Sequence, residues 1–318
     1  MKNKKVLLTG GAGFIGSHVL EAYKKSSYEV VVVDDLSTGS LDNISDLIGD
    51  KVEFVKADIR DKDALEDIFK KYQPDIINHH AAQKSVPYSV EDPLFDISVN
   101  IVGTMNLMLL AGQYGVRNFI TVSSGGALSK EIVGDEKSSE TDMPQLVSPY
   151  AIAKFSCEKY LDIYAQKFGF EYSVLRYANV YGPRQIADGE CGVIPIFVNN
   201  VLQNKKSILM TYPDMPEGCT RDYVYVTDIA KVNMMVSEKP VNTVINIGSG
   251  IELPIKKIYE AIVDVFEVEY DLDIVGPRAG DVRRSVLDSS KAKELIGWEP
   301  EIDLKEGLSL LKNYIEAK

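Results

Sequence analysis

Short apolar runs rich in β-branched residues alternate with longer stretches of helical periodicity through the first half of the chain. Lys5–Leu8, Val30–Val33, Val52–Val55, Ile76–Asn78, Phe119–Val122 and Tyr172–Leu175 read as buried strands. Phe14–Lys25, Lys62–Tyr72, Pro93–Tyr114 and Pro149–Phe168 read as the helices between them. This alternation predicts βαβ units and an α/β fold with a doubly wound parallel sheet covered on both faces. After about Asn179 the rhythm loosens, and Pro183, Pro195, Pro213, Pro216, Pro240, Pro254, Pro277 and Pro300 punctuate shorter elements. A smaller C-terminal α/β domain is expected there. The expected division gives residues 1–178 to the first domain, with 223–248 returning to it, and 179–222 plus 249–318 to the second.

The first strand runs directly into Thr9-Gly10-Gly11-Ala12-Gly13-Phe14-Ile15-Gly16. Glycines at 10, 13 and 16 allow a tight turn, a close approach of backbone to a pyrophosphate, and packing of helix on strand. The helix N-terminus beyond them offers N–H donors and a positive dipole to phosphates. The second strand ends at Asp34, eighteen residues beyond Gly16. A carboxylate there accepts both ribose hydroxyls of NAD and repels a 2′-phosphate, and Asp35 follows with no arginine beside it. The turn therefore predicts a Rossmann-type site for NAD rather than NADP. Asp58-Ile59, after the third strand, has two readings: a contact to the adenine, or an ordinary acid capping the helix that starts near Asp61.

Ser148-Pro149-Tyr150-Ala151-Ile152-Ala153-Lys154 carries its own helix start, with Ser148 as cap and Pro149 in the first turn. Tyr150 and Lys154 then share a face as i and i+4. An ammonium beside the phenol, the helix N-terminus and a nicotinamide cation all favour phenolate, so a lowered Tyr150 pKa and an acid/base role are expected.

Composition narrows the partners. Hydrophobic residues at 45% and charged residues at 26% fit a folded globular chain, and a formal charge of −12 argues against nucleic acid. Cys157, Cys191 and Cys219 are too few and too widely spaced for a metal site or a disulfide framework, so a reducing compartment is expected. The longest uninterrupted apolar runs, such as Leu107–Ala111, fall far short of the ~20 residues that span a bilayer. A cytoplasmic protein without membrane contact is the resulting expectation. His18, His79 and His80 read as packing or loop residues.

Taken in order, the motifs resemble the extended short-chain dehydrogenase/reductases, in their nucleotide-sugar epimerase/dehydratase branch. The likeness runs from the glycine turn through Asp34-Asp35-Leu36-Ser37-Thr38-Gly39, His80-Ala81-Ala82-Gln83, Asn100-Ile101-Val102-Gly103-Thr104, Ser123-Ser124, Tyr150/Lys154 and Leu175–Arg184. It continues through Arg221–Val226, Asn246–Gly250 and Gly280-Asp281-Val282-Arg283. The resemblance implies that Ser124 bridges Tyr150 and a sugar hydroxyl, and that Lys154 orients Tyr150 and the nicotinamide ribose. It implies that Ala81, Ala82, Gln83 and Tyr177 line the cofactor, that Lys84 joins them, and that Asn100 supports the site. Asn179, Val193, Arg221 and Arg278 are implied to hold the nucleotide diphosphate. Asp281 is implied to be a substrate-binding residue. Four residues on, small Ser285 is implied to leave room for an N-acetyl group.

Dehydratases of the branch carry Asp and Glu directly after the serine or threonine, where Gly125 and Gly126 stand here. The resemblance therefore implies NAD-dependent 4-epimerisation of a UDP-hexose, N-acetylated sugars included, by a homodimer. Dehydration, decarboxylation or reduction on the same fold, and a non-catalytic NAD-binding role, are the alternatives. The segment Met210–Thr220 departs from the family pattern near the nucleotide base, which leaves the base less well specified.

Overall fold

Residues 4–187, 192–277 and 282–318 are described by the structure, a computed structural model of the chain. The first half runs β1 (Lys5–Thr9), α1 (Phe14–Lys24), β2 (Glu29–Asp34), β3 (Val52–Lys56), α2 (Lys62–Tyr72), β4 (Ile76–His79), α3 (Val86–Glu91) and α4 (Pro93–Asp96). A π-helical stretch, Ile97–Gly103, leads into α5 (Thr104–Tyr114), followed by β5 (Asn118–Ser124), α6 (Gly125–Leu128), α7 (Pro149–Phe168) and β6 (Glu171–Tyr177). The remainder runs β7 (Asn179–Tyr181), α8 (Val193–Leu202), β8 (Ser207–Met210), β9 (Thr220–Arg221), β10 (Tyr223–Tyr225), α9 (Val226–Glu238) and β11 (Thr243–Ile247). β12 (Leu253–Pro254), α10 (Ile255–Phe266), β13 (Leu272–Val275), α11 (Ser290–Ile296) and α12 (Leu304–Glu316) complete it.

Seven strands form one parallel sheet in the order β11-β6-β5-β4-β1-β2-β3. Successive residues of β1 face opposite sides, so Leu7 packs with Leu65, Phe69, Leu107 and Leu161 while Val6 and Leu8 pack with Val19, Tyr23, Ile229 and Val232. Burial on both faces explains why these strands read as continuous apolar runs. Strand order reverses between β1 and β4, and the crevice at the carboxyl ends of the strands opens there. β11 joins the sheet edge beside β6, and α9 packs on α1. A third apolar cluster, including Tyr181, Phe197, Ile258, Tyr259 and Leu308, holds α8, α10 and α12 together beyond the crevice.

The run Pro93–Tyr114 differs from the single α-helix expected. Its middle is π-helical, and two side chains bond within it: Asn100 Nδ2 donates to Asp96 Oδ1 at 2.8 Å and Thr104 Oγ1 donates to Asn100 O at 2.6 Å. Such widened turns recur at functional sites. By length and composition this 22-residue run could cross a membrane, which a count of uninterrupted apolar residues overlooks. Here one face of it joins the core, with Asp96, Asn100, Leu107, Met108, Leu110 and Ala111 buried, while Leu94, Ile97 and Val102 are exposed.

Candidate active site

One cavity of about 710 Å³ follows the carboxyl ends of the strands. At one end β1 enters a turn in which Gly10 takes φ +68°, and α1 starts after Gly13 with no side chain capping its first N–H groups. A Cβ on Gly16 would overlap the Gly10 carbonyl oxygen, so only glycine lets the first turn of α1 close on the loop. Asp34 ends β2 with its carboxylate accepting from Ala12 N at 3.0 Å and Leu36 N at 2.9 Å. Burial pushes this carboxyl up, and the two backbone donors act against that. Gly10, Gly13, Phe14, Ile15, Gly16, Asp34, Asp35, Ser37, Thr38, Gly39, Asp58 and Ile59 all line this end of the cavity. The two readings of Asp58 separate: Asp61 caps α2, accepting from Ala64 N at 3.0 Å, whereas Asp58 is paired by Arg60, whose guanidinium holds its carboxyl below the usual range. Uncapped helix donors, a glycine cradle and a strand-end carboxylate fit a dinucleotide.

Ser124, Tyr150, Lys154 and Tyr177 line the same cavity further along. Ser148 Oγ accepts from Ala151 N at 3.1 Å and Pro149 occupies the first turn, so α7 starts where the local sequence directs it. Tyr150 and Lys154 share its inner face. Lys154 Nζ donates to Val122 O at 3.1 Å and lies 5.9 Å from the centre of the Tyr150 ring.

Without the nicotinamide cation that the expected lowering partly rests on, the Tyr150 pKa is raised. Burial pushes this phenol up to about 12, the Ser124 hydroxyl opposes that, and the charge of Asp96 adds to it. Stripping water from a phenolate outweighs the nearby ammonium, and the buried Lys154 is itself lowered.

Ala81, Ala82, Gln83 and Lys84, beyond β4, line the cavity, as do Asn179 and Val193. Asn100 lies behind it: its Oδ1 accepts from Gln83 N and its Nδ2 donates to Gln83 O, both at 3.0 Å, which pins the segment in front. Arg221 and Ser285 are outside the lining. Arg221 Nη1 donates to Thr220 O at 2.8 Å, and Ser285 is buried with its backbone N donating to Thr220 O at 3.3 Å. Arg278 and Asp281 lie outside the described residues. His80, read as a packing or loop residue, lines the cavity, as do Asn43, Arg184 and Gln185, which had been given no role; the Gly-Pro-Arg run after Asn179 was the available signal for Arg184.

Beside Ser124, a Cβ on Gly125 would collide with the Leu287 side chain and lie 2.9 Å from Tyr177 O, whereas one on Gly126 would meet open space. Neither position carries a carboxylate. Among the described residues, no cluster of His, Cys, Asp and Glu could hold a metal.

The profile of the NAD dependent epimerase/dehydratase family matches residues 6–248. The chain belongs to that family. A putative UDP-glucose 4-epimerase of Methanocaldococcus jannaschii is 40% identical over 315 residues, covering 98% of each chain. The crystal structure of Thermotoga maritima UDP-glucose 4-epimerase with UDP-glucose superposes with a TM-score of 0.92 at 40% identity, over 98% of this chain and 99% of that one. A UDP-N-acetylglucosamine 4-epimerase of Methanobrevibacter ruminantium superposes with a TM-score of 0.91 at 34% identity over the whole of both chains. Family membership and the glycine turn identify this as an NAD-dependent enzyme fold.

Proposed function

We propose that the chain is a UDP-hexose 4-epimerase that keeps NAD bound through the cycle, acting on UDP-glucose/UDP-galactose and on the N-acetylated pair. The observation that carries this reading is the pairing of Tyr150, Lys154 and Ser124 with two glycines directly beyond Ser124, which leaves an acid/base at the sugar but no carboxylate for elimination. Asp34 is positioned for ribose hydroxyls, and the start of α1 for the pyrophosphate. NAD supplies reversible hydride acceptance at C4 of the sugar. Tyr150 takes the proton of the C4 hydroxyl, with Ser124 as the hydrogen-bonding bridge, and returns it to the C4 oxygen once the ring has presented its other face. A nicotinamide cation next to the phenol lowers its pKa from the buried value, which couples a full cofactor site to a usable base. The nucleotide end supplies the grip that lets the hexose stay loosely held.

The test is incubation of purified protein with each UDP-hexose, without added NAD, and separation of the epimers. Interconversion of both pairs is expected. Accumulation of a dehydrated, decarboxylated or reduced sugar would replace this reading with another reaction of the family, and NAD binding with no turnover would make it a sensor.

The chain also has a face suited to a second copy. Leu94, Ile97, Ile152, Tyr160 and Ile163 are exposed on the packed helices α4 to α7. Pairing these helices across a twofold axis as a four-helix bundle would bury them. Sedimentation at twice the 35.3 kDa chain mass is expected, and Ile163→Glu should return it to one.

A further inference from the structure

Arg184 is an arginine on the cavity wall that the proposed reaction leaves without a task. It follows β7 and takes φ +67°, a conformation that residues other than glycine seldom adopt. The segment is tied to α1 at two points: His18 Nε2–H donates to Pro183 O at 3.0 Å, and Arg184 Nη2 pairs with Glu21. The Arg184 side chain is only 13% exposed, yet its Nη1 is buried with no hydrogen-bond partner. A buried charged donor left unpaired is costly, and an acceptor carried by a ligand would remove that cost.

The surrounding charges say which acceptor. Asp34, Asp35 and Asp58 make the cavity wall acidic, and among the described residues its Lys and Arg side chains are Lys84, Lys154 and Arg184. Lys154 is engaged with Val122 O beneath Tyr150. Arg221 turns to Thr220 O, outside the wall. A planar guanidinium with spare N–H groups matches the oxygens of a diphosphate, the strongest acceptor that either nucleotide brings.

We propose that Arg184, through Nη1, is a ligand of a nucleotide diphosphate bound in this cavity, with Glu21 orienting the guanidinium from behind. The inference rests on the reading that the cavity takes NAD and a UDP-sugar, and either nucleotide could be the source of the diphosphate.

Arg184→Met and Glu21→Gln both break the ion pair, but only the first removes Nη1. On the NAD-loaded protein, affinity for UDP and for uridine is measured by calorimetry, and NAD retention by absorbance after gel filtration. Weakening of UDP binding by roughly 10- to 100-fold in Arg184→Met, with uridine unchanged, assigns the contact to the sugar nucleotide. Loss of retained NAD with UDP affinity unchanged assigns it to the cofactor. Glu21→Gln is expected to stay within about twofold of wild type in both. If Arg184→Met matches Glu21→Gln in both arms, the arginine is only a clasp and the proposal fails. Should the methionine variant not fold, Arg184→Lys keeps the charge but not the fork. It must then weaken UDP binding or NAD retention by more than Glu21→Gln does, or the proposal fails. A wild-type protein that binds neither UDP nor NAD overturns the reading of the cavity itself, and the arginine assignment with it.

Discussion

Tyr150→Phe is expected to lower kcat for UDP-hexose interconversion by roughly 10²- to 10⁴-fold while leaving KM within a few-fold. The phenyl ring keeps its place on the inner face of α7, so the cavity wall and the nucleotide grip are preserved. What disappears is the one group placed both to take and to return a proton at C4, with Ser124 beside it and Lys154 one turn away. The pH profile should change with it. Burial pushes the Tyr150 phenol up and a bound nicotinamide cation would draw it back down, so the wild-type rate should climb with pH until the phenol of the NAD-loaded protein has ionised. In the phenylalanine variant the residual rate should lose that climb. The measurement is epimer separation across a pH series, with NAD content checked in both proteins. A variant within tenfold of wild type would remove Tyr150 from the acid/base role and turn attention to another proton carrier in the cavity.

Much of this site could be read from the chain because its signals are local. A helix that begins Ser148-Pro149 starts where those residues dictate, and the i, i+4 spacing places Tyr150 and Lys154 on one face whatever else the fold does. The glycine turn is nearly as self-contained: Gly13 and Gly16 press on Gly10 and Gly11 within one βα unit, while Gly10 also meets a distant segment, the backbone of His80 and Ala81. Failures occurred where distant segments decide the outcome. The π-helical turn at Ile97–Gly103 leaves the apolar pattern intact, and its Asn100 is bonded to Gln83, seventeen positions away in sequence. Arg221 was implied as a diphosphate ligand by the resemblance and favoured by its charge, but it pairs in β9 with β12 and is not on the cavity wall. The upward shift of Tyr150 depends on how much water the fold removes, which spacing does not encode. Asp96 and Glu158 were overlooked for a related reason: an acid within a helical window reads as a solvated face, and only the packing reveals that both are buried.

Glu158→Ala tests the larger of those two oversights. Glu158 lies one turn beyond Lys154 on α7 and is 1% exposed, and its partner Arg176 on β6 is 7% exposed. Arg176 Nε donates to Oε1 at 2.8 Å and Nη2 to Oε2 at 2.7 Å, and Ser123 Oγ donates to Oε1 at 2.6 Å. This one carboxylate therefore ties α7 to β5 and β6 directly behind Ser124 and Tyr150. Deleting it leaves a guanidinium in the core without a counter-charge, a change that costs about 3–5 kcal/mol, and frees the serine next to Ser124. The expected result is a large drop in the urea midpoint at pH 7, followed by circular dichroism, with a smaller loss of kcat than Tyr150→Phe in the protein that stays folded. Charge and packing can be separated by the double variant Glu158→Leu/Arg176→Met. Apolar residues of similar volume often match a buried ion pair in stability, so the double variant should recover most of what the single one loses. If instead the double variant is as unstable as Glu158→Ala, the bidentate geometry itself holds the helix to the sheet, and the pair acts as a clamp on the catalytic face rather than as two charges that cancel.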